Sequence, residues 1–250
     1  MRSIQGLALG AQRASGTATP TISGELQVNA LLLDPVFRSS QEGLVTDLRI
    51  GGQPTLCSNL GMGIRCFDWT AQVEGRRALA IPAKRKTTWQ ASFALAAAGS
   101  VFGAIGVDPI PEEETLEFDD PRMAPRLSYG FGLGSTAIAA GSPATIVATC
   151  RKGGELGPMI LYGRAAGALD EVSVFDIDVN GVSLLAGRSG AAVGANIDEI
   201  GLAFFDFQRT DLDGRTLNYE IHQNDVLTIK LHNYGAGGHT IDGGIFMLPR

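Results

Sequence analysis

The sequence predicts an all-β protein made of two similar units in tandem, and three observations lead to this fold class. Motifs in the first half of the chain recur, in the same order, in the second half. Many short runs alternate apolar and polar residues with a period of two, whereas no stretch of 12 or more residues shows the 3.6-residue period of an amphipathic helix. The 33 glycines among 250 residues follow no collagen-like period, which indicates many tight turns between short strands.

The internal repeat consists of three pairs of matching segments. The offset between the members of a pair lies between 129 and 140 residues, which indicates a tandem duplication with insertions in the second copy. The pairs are Val101–Pro109 with Ile241–Pro249, Val45–Gly52 with Val174–Gly181, and Phe67-Asp68-Trp69 with Phe205-Asp206-Phe207.

The second copy shows eight predicted strands. They are Ala144–Thr149, Leu156–Tyr162, Val172–Val179, Val182–Leu185, Ile197–Phe207, Thr216–Ile221, Val226–His232 and Thr240–Leu248. Gly, Asn and Asp at Asn180-Gly181, Asp213-Gly214, Asn224-Asp225 and Gly237-Gly238 favour turns between them. Eight antiparallel strands in a unit of this size fit a two-sheet sandwich. We favour the eight-stranded jelly roll over an immunoglobulin-type sandwich, because the Cys…Trp…Cys spacing of the latter is absent.

Changes in composition predict the domain boundaries. Residues 1–24 are rich in Ala, Gly, Ser and Thr and are predicted to be a flexible N-terminal arm. Residues 25–110 form the first jelly roll and residues 144–250 the second. Residues 111–143 between them begin acidic and end rich in glycine, which predicts a connector with one short helix at about 113–118.

Charge and cysteine content exclude several classes of protein. Only 18% of the residues are charged and the net charge is −6, which argues against a broad nucleic-acid-binding face. The apolar run from Phe93 to Val107 is too short to span a membrane, and its copy at 231–247 contains several polar residues. Cys57, Cys66 and Cys150 have no regular spacing, so we expect three reduced thiols in a chain made in the cytoplasm.

Two sets of residues are candidate metal ligands. His222, His232, His239 and Asp242 could bind zinc, but the ligands of known sites are more closely spaced, so solvated or hydrogen-bonded side chains are favoured. We expect His232 and His239 to lie near each other across a hairpin, with His222 apart from them.

The second set suggests a calcium loop and consists of Asp206, Asp211 and Asp213-Gly214. An acid-Gly-Arg sequence occurs in both copies, at Glu74-Gly75-Arg76 and Asp213-Gly214-Arg215. A hairpin turn that both copies share explains this better than a calcium site in one of them.

The sequence contains no enzyme motif: no G-x-S-x-G, H-E-x-x-H or phosphate-binding loop is present. The basic cluster Lys84-Arg85-Lys86, with Arg76 and Arg77, could meet a phosphate or an acidic connector of another subunit, although such runs are usually solvated loops. Trp69 and Trp89 are predicted to lie on strands in the core. We therefore predict that the chain is not an enzyme and has no catalytic, cofactor-binding or metal-binding residues.

The paired segments Val45–Gly52 with Val174–Gly181, and Val101–Pro109 with Ile241–Pro249, give two fused eight-stranded sandwiches without a catalytic motif. In this the chain resembles the double jelly-roll major capsid proteins of icosahedral phages with an internal membrane, such as corticoviruses and tectiviruses. The resemblance covers nearly the whole chain but is architectural, so no functional residues carry over. At 250 residues the chain is near the small end for this family, which leaves little room for tower loops.

The resemblance implies a structural virion protein that assembles as pseudo-hexameric homotrimers into an icosahedral capsid lattice. Its implied partners are other copies of itself, other capsid or vertex proteins, and the internal viral membrane or a neighbouring subunit through the N-terminal arm with Arg2 and Arg13. It implies no specific nucleic acid. The alternative is a tandem β-sandwich binding module, such as a phage spike or fibre protein or a carbohydrate-binding protein. A β-sandwich hydrolase is a third, weaker alternative.

Overall fold

The computed structural model describes residues 9–70, 80–110, 129–164, 171–184, 195–196, 202–206 and 219–249. The chain divides into two compact units. Of the described residues, 9–56, 64–70, 80–110 and 129 belong to the first unit, and 57–63 and 130–249 belong to the second.

The first unit is built from strands and one short helix. Its elements are β1 (Leu9–Thr17), β2 (Thr21–Glu25), β3 (Ala30–Ser39), β4 (Gly43–Ile50), β5 (Gln53–Pro54), α1 (Ile64–Thr70), β7 (Ala80–Ala83), β8 (Thr88–Leu95) and β9 (Gly99–Pro109). A further short strand, β6 (Met62–Gly63), precedes α1 in the chain and pairs with β4.

The second unit repeats this series of strands. Its further elements are β10 (Tyr129–Ile138), β11 (Pro143–Thr149), β12 (Gly154–Gly163), β13 (Val172–Val179), β14 (Val182–Ser183), β15 (Ala195–Asn196), β16 (Leu202–Asp206), β17 (Glu220–Ile221), β18 (Val226–Asn233) and β19 (His239–Pro249).

The two units have the same strand order, and this order is that of a jelly roll. In the first unit the sheets run β1-β9-β3-β7 and β2-β8-β4-β5; in the second they run β10-β19-β12-β16 and β11-β18-β13-β14. If the principal strands of each unit are numbered one to eight, both units read 1-8-3-6 in one sheet and 2-7-4-5 in the other. The strand pairs are antiparallel. The predicted fold class, two tandem jelly-roll sandwiches, is therefore confirmed.

Matching irregularities show that the units are equivalent in detail. The pairing of β4 with β8 shifts register between Val45 and Asp47, and that of β13 with β18 shifts between Val174 and Asp176. Each of these strands then enters a two-residue turn with positive φ at both central positions. These are Gly51 and Gly52 (58° and 78°) in one unit and Asn180 and Gly181 (52° and 80°) in the other. This geometry matches the twist of a β-hairpin and explains the Gly and Asn at these positions.

The core of the first unit is centred on three phenylalanines. Phe37 on β3 packs edge to face against Phe67 on α1 and against Phe93 on β8, with ring centroids 5.1 Å apart in each pair. Helix α1 buries Ile64, Cys66 and Phe67 and exposes Arg65. With 7 residues it is too short to show a helical period in the sequence, and so it was not predicted.

The structure corrects two predicted boundaries. Residues 9–24, predicted to be part of a flexible arm, form β1 and most of β2, because their main chain pairs with β9 and β8. Residues 129–138, predicted to belong to the connector, form β10 of the second unit. The connector residues 111–128, with the predicted helix at 113–118, lie outside the described residues.

The third pair of matching segments is also corrected. Phe67, Asp68 and Trp69 lie in helix α1, whereas Phe205 and Asp206 lie in strand β16. Trp69 is therefore not on a strand. The strand register shows which residues are equivalent instead. Ala83 pairs with the first residue of β3, Ala30, and Ile221 pairs with the first residue of β12, Gly154. Ala83 and Ile221 therefore hold equivalent positions in the two units. Trp89 lies on β8 and is buried, as predicted.

Candidate functional site

The most distinctive local arrangement is the segment Cys57–Gly63, which the chain delivers to the second unit before it returns to the first. This edge segment runs along the outer edge of β10, the first strand of its sheet. The Cys57 amide donates to the Gly130 carbonyl at 2.7 Å, and the Gly134 amide donates to the Gly61 carbonyl at 2.8 Å. An antiparallel bridge joins Leu60 to Gly132 between them. The edge segment thus pairs with an edge that would otherwise leave main-chain groups unpaired.

The edge segment also bonds to the end of β11, the edge strand of the other sheet. The Asn59 amide donates to the Thr149 carbonyl at 3.1 Å, and the Thr149 amide donates to Asn59 Oδ1 at 2.8 Å. The Arg151 amide donates to the Cys57 carbonyl. One segment therefore closes the side of the second sandwich on which both sheets present their first strand.

Glycines make this close approach possible. A Cβ on Gly132 would lie 2.3 Å from the carbonyl oxygens of Leu60 and Gly61. At the other end of the edge segment, a Cβ on Gly63 would lie 2.6 Å from the Tyr162 hydroxyl, and a Cβ on Gly244 would lie 2.5 Å from Met62 Cγ. The atoms that face Gly132 belong to the main chain and cannot move aside, so this position requires glycine, whereas Gly63 and Gly244 face side chains.

The side chains of the edge segment are buried and bonded within the second unit. Ser58 is 2% exposed, and its hydroxyl donates to the Gly132 carbonyl at 2.7 Å. Burial raises the pKa of the Cys57 thiol to about 12, and burial also raises the pKa of Cys150. Burial therefore disfavours the thiolate, the form of cysteine that acts as a nucleophile or a metal ligand, at both positions. The sequence feature that could have indicated this pairing is the glycine at every second position, Gly130, Gly132 and Gly134, which leaves room for another main chain beside β10.

The three histidines have separate surroundings in the second unit. His239 Nε2 lies 2.7 Å from Glu171 Oε2, and His222 lies beside Asp225 in an exposed turn. The His232 ring stacks on Tyr234 at a centroid distance of 4.2 Å. Among the residues that the structure describes, no three His, Cys, Asp or Glu side chains come together as a metal-binding group.

Asp242 belongs to a buried ion pair. Its carboxylate is fully buried and accepts two hydrogen bonds from Arg164, at 2.8 and 3.0 Å. Asp211 and Asp213 of the suggested calcium loop lie outside the described residues, as do Arg76 and Arg77 of the basic cluster.

Lys84-Arg85-Lys86 forms an exposed turn between β7 and β8. Lys86 has φ 68°, and its amide donates to the Leu26 carbonyl. In the second unit Asn224 takes this place: its φ is 74°, and its main-chain amide donates a hydrogen bond to the Cys150 carbonyl. The turn is thus common to both units, whereas its positive charge occurs only in the first.

The second unit carries a charged cluster on β13 and β18. Lys230 Nζ lies 2.7 Å from Asp176 Oδ2 and 3.5 Å from Asp178 Oδ2, and the Ser183 hydroxyl donates to Asp176. The hydrogen bonds from Lys230 and from Ser183 hold the pKa of Asp176 below its ordinary value, and the one to Asp176 raises the pKa of Lys230. Lys230 offsets one of the two negative charges, and its contact with Asp176 joins two strands that pair at this position.

The first unit contains an open cleft of about 360 Å³ lined by residues 37–42, Ile64 and Arg65. Arg65 forms an ion pair with Glu42 there. The two serine hydroxyls of the cleft bond to the main chain: Ser39 donates to the Gln41 carbonyl, and Ser40 accepts from the Ser100 amide. No helix in the described part of the chain is long and apolar enough to cross a membrane.

Comparisons with known proteins give no relative by sequence: no family model and no curated protein matches. Three similar solved structures are described by their identity, TM-score, and coverage of this chain and of the other chain. The major capsid protein P2 from bacteriophage PM2 is 12% identical, with a TM-score of 0.40, over 96% of this chain and 99% of the capsid protein. A protein with a triple jelly-roll fold from an archaeal virus is 10% identical, with a TM-score of 0.19, over 94% of this chain and 58% of the viral protein. A fucolectin from the serum of the striped bass, Morone saxatilis, is 8% identical, with a TM-score of 0.21, over 96% of this chain and 86% of the lectin. At these identities and TM-scores, the fold assignment rests on the strand order of the four sheets.

Proposed function

We propose that this chain is a structural virion protein, a major capsid protein of an icosahedral phage, and that it functions by assembling with copies of itself. The observation that supports this most strongly is the identical strand order, 1-8-3-6 and 2-7-4-5, in both units. Two equivalent sandwiches in one chain provide two similar building blocks at a fixed ratio, which is useful for building a regular shell.

The proposed assembly unit is a homotrimer. Three chains with two similar units each supply six similar sandwiches around a three-fold axis, and such a pseudo-hexameric ring is closed and can tile a lattice. The units differ in charge and in surface residues, as expected if they occupy non-equivalent positions. For example, the turn with Lys84-Arg85-Lys86 in the first unit corresponds to a turn without lysine or arginine in the second.

Exposed apolar side chains support contacts between subunits. Of the six large apolar side chains that are exposed among the described residues, four lie in the second unit: Val147, Phe175, Val182 and Tyr234. Phe102 on β9 and Val28 are the two in the first unit. Apolar and aromatic groups of this kind gain free energy when a neighbouring subunit covers them.

The proposal places the protein in the capsid of the virion, after synthesis in the host cytoplasm. Other capsid or vertex proteins are its further partners. Arg2 lies outside the described residues, and Arg13 lies on β1, so contact with the membrane or a neighbour through the chain terminus is limited to the residues before β1.

Native mass measurement of the purified chain tests this proposal. We expect a species with three times the chain mass of 26.2 kDa. It should persist from low to physiological salt, and its fraction should rise with protein concentration. A chain that stays monomeric at all concentrations and salts contradicts the proposal. A monomer that also binds specific glycans in an array supports the binding-module alternative instead.

A further inference from the structure

The open cleft of the first unit lies where the turn between β3 and β4 meets the start of α1. Its volume of about 360 Å³ is at the small end of the range of about 300–1,000 Å³ that is typical of small-molecule sites. Polar and charged side chains line most of it: Arg38, Gln41 and Arg65 are exposed, and Glu42 is half-buried. The cleft is therefore open to a small polar ligand from solution.

The cleft offers hydrogen-bond donors and acceptors side by side. Arg65 bonds to Oε1 of Glu42, so the two charges offset each other and the pair does not select an anion. No described residue bonds to Oε2 of Glu42 or to the Gln41 carboxamide. The Ser40 hydroxyl accepts from the Ser100 amide at 2.9 Å and can still donate its own proton. This set of groups suits hydroxyls, each of which both donates and accepts.

An exposed aromatic ring lies next to the cleft. Phe102 is 44% exposed and is the cross-strand partner of Arg38 in the pairing of β3 with β9. Directly opposed residues of two paired strands lie on the same face of the sheet, so the Phe102 and Arg38 side chains are neighbours. The face of an aromatic ring carries partial negative charge, to which the weakly positive C–H groups of a sugar ring are attracted. Phe102 therefore adds an apolar contact surface to a polar cleft.

The equivalent glutamate of the second unit has a different partner. Glu171 corresponds to Glu42, because each precedes the fourth principal strand of its unit and its carbonyl accepts a hydrogen bond from the residue that follows the seventh. The Glu171 carboxylate contacts His239, whose side chain is 10% exposed. Gly99 takes the place of His239, since each lies two residues before its matching segment of the repeat. A Cβ at Gly99 would lie 2.8 Å from Gln41 Cγ, so glycine here leaves Gln41 its place in the wall of the cleft.

We propose that this cleft binds a neutral mono- or disaccharide. Gln41, Glu42 and Arg65 bond to the hydroxyls of the sugar, and Phe102 packs against the face of one sugar ring. The inference goes beyond the proposed function, because it gives a shell-forming chain a site for attachment to glycans. It assigns Phe102 to the ligand and leaves the other exposed apolar side chains to the contacts between subunits.

Calorimetric titration of the purified full-length chain tests the inference. The neutral probes are glucose, galactose, mannose, fucose, N-acetylglucosamine, maltose and lactose, and the anionic probes are glucuronate and inorganic phosphate. We expect at least one neutral probe to bind with a Kd of about 1 mM or lower. The two anionic probes should bind about tenfold or more weakly, because the Glu42 carboxylate lies in the cleft. Binding of the anionic probes alone, or of no probe, would overturn the inference.

Two variants locate the bound sugar. Gln41→Ala removes the exposed carboxamide and Phe102→Ala removes the exposed ring, and each should raise the Kd of the bound probe by about tenfold. Both side chains are exposed, so both variants should keep the Tm of the wild type. The control is Gln90→Ala, an exposed glutamine on β8 in the other sheet of the same unit, and it should bind like the wild type. An unchanged Kd in both Gln41→Ala and Phe102→Ala contradicts a site in this cleft.

The outcomes separate this inference from the proposed function. A chain that forms the trimer but binds no neutral probe overturns the saccharide site alone. A chain that stays monomeric, binds a neutral probe and loses this binding in Gln41→Ala supports the saccharide site and overturns the capsid proposal.

Discussion

At the residue scale, Gly132 is the position on which the closed edge of the second unit depends most. Its Cα faces the carbonyl oxygens of Leu60 and Gly61, which are main-chain atoms and cannot rotate away. We expect Gly132→Ala to lower the free energy of unfolding by about 1–3 kcal/mol, the usual cost of overpacking. Urea denaturation measures this. Gly237→Ala is the matched control, and an equal effect of the two substitutions would contradict the role of Gly132.

The buried pair of Arg164 and Asp242 is the second residue-scale feature with a measurable consequence. Arg164→Met removes the cation and leaves the fully buried Asp242 carboxylate without it, so we expect a loss of about 3–5 kcal/mol in the free energy of unfolding. The exposed pair of Arg49 and Asp47 is the comparison, and Arg49→Met should cost less than about 1 kcal/mol. Similar losses for the two variants in urea denaturation would rule out this difference.

The lowered pKa of Asp176 predicts that the stability of the fold depends on pH. Its pKa is lower in the folded protein than its ordinary value of 3.8, so the ionised form stabilises the fold. This contribution is complete above the unfolded pKa and is lost as the pH falls through the folded pKa. Asp176→Asn should therefore lower Tm at pH 6, and the difference from the wild type should disappear as the pH falls below 3.8. A difference in Tm that is constant with pH argues against the ion pair as its cause.

The sequence could predict the types of these residues but not their partners. His239 pairs with Glu171 and Arg164 pairs with Asp242, at separations of 68 and 78 residues. Such contacts depend on strand register, which one sequence does not specify. The expectation that His232 and His239 lie near each other rested on a hairpin, but β18 and β19 belong to different sheets, and His239 pairs with Glu171.

At the element scale, the edge segment Cys57–Gly63 pairs with β10 and is part of the second unit. Ser58→Ala removes the hydroxyl that donates to the Gly132 carbonyl and should destabilise this pairing by about 1 kcal/mol. The thiol of Cys57 is a reporter of the change, because it is buried and protonated while the edge segment is in place.

We therefore expect alkylation of Cys57 in native Ser58→Ala protein to be about fivefold faster than in the wild type, measured by mass spectrometry. Ser142→Ala is the matched control, since the Ser142 hydroxyl is exposed and bonds only within its own turn. An unchanged alkylation rate at Cys57 in Ser58→Ala protein would be evidence that the Ser58 hydroxyl does not stabilise the pairing of the edge segment with β10.

Elements with strong alternation could be predicted from the sequence, and elements without it could not. Val172–Val179 and Val226–Asn233 alternate clearly and are strands. Leu9–Thr17 contains few large apolar residues, and it is a strand because β9 offers it a main-chain partner. Helix α1 has too few turns to show its period. These elements depend on tertiary pairing and not on local preference.

At the scale of the whole molecule, the internal repeat was sufficient to predict two jelly rolls, because strand ends and turns are common to the two units. It could not predict that Cys57–Gly63 belongs to the second unit, since a repeat aligns each segment with its own copy. That exchange means that the second sandwich is completed by chain from the first half.

The central claim is that three copies form a ring of six similar sandwiches, and electron microscopy of the purified oligomer tests it most directly. We predict class averages with a hexagonal outline, six lobes of similar size and exact symmetry of order three, because the two units of each chain are alike but not identical. Averages of isolated two-lobed particles, or of oligomers with two-fold symmetry alone, would contradict it.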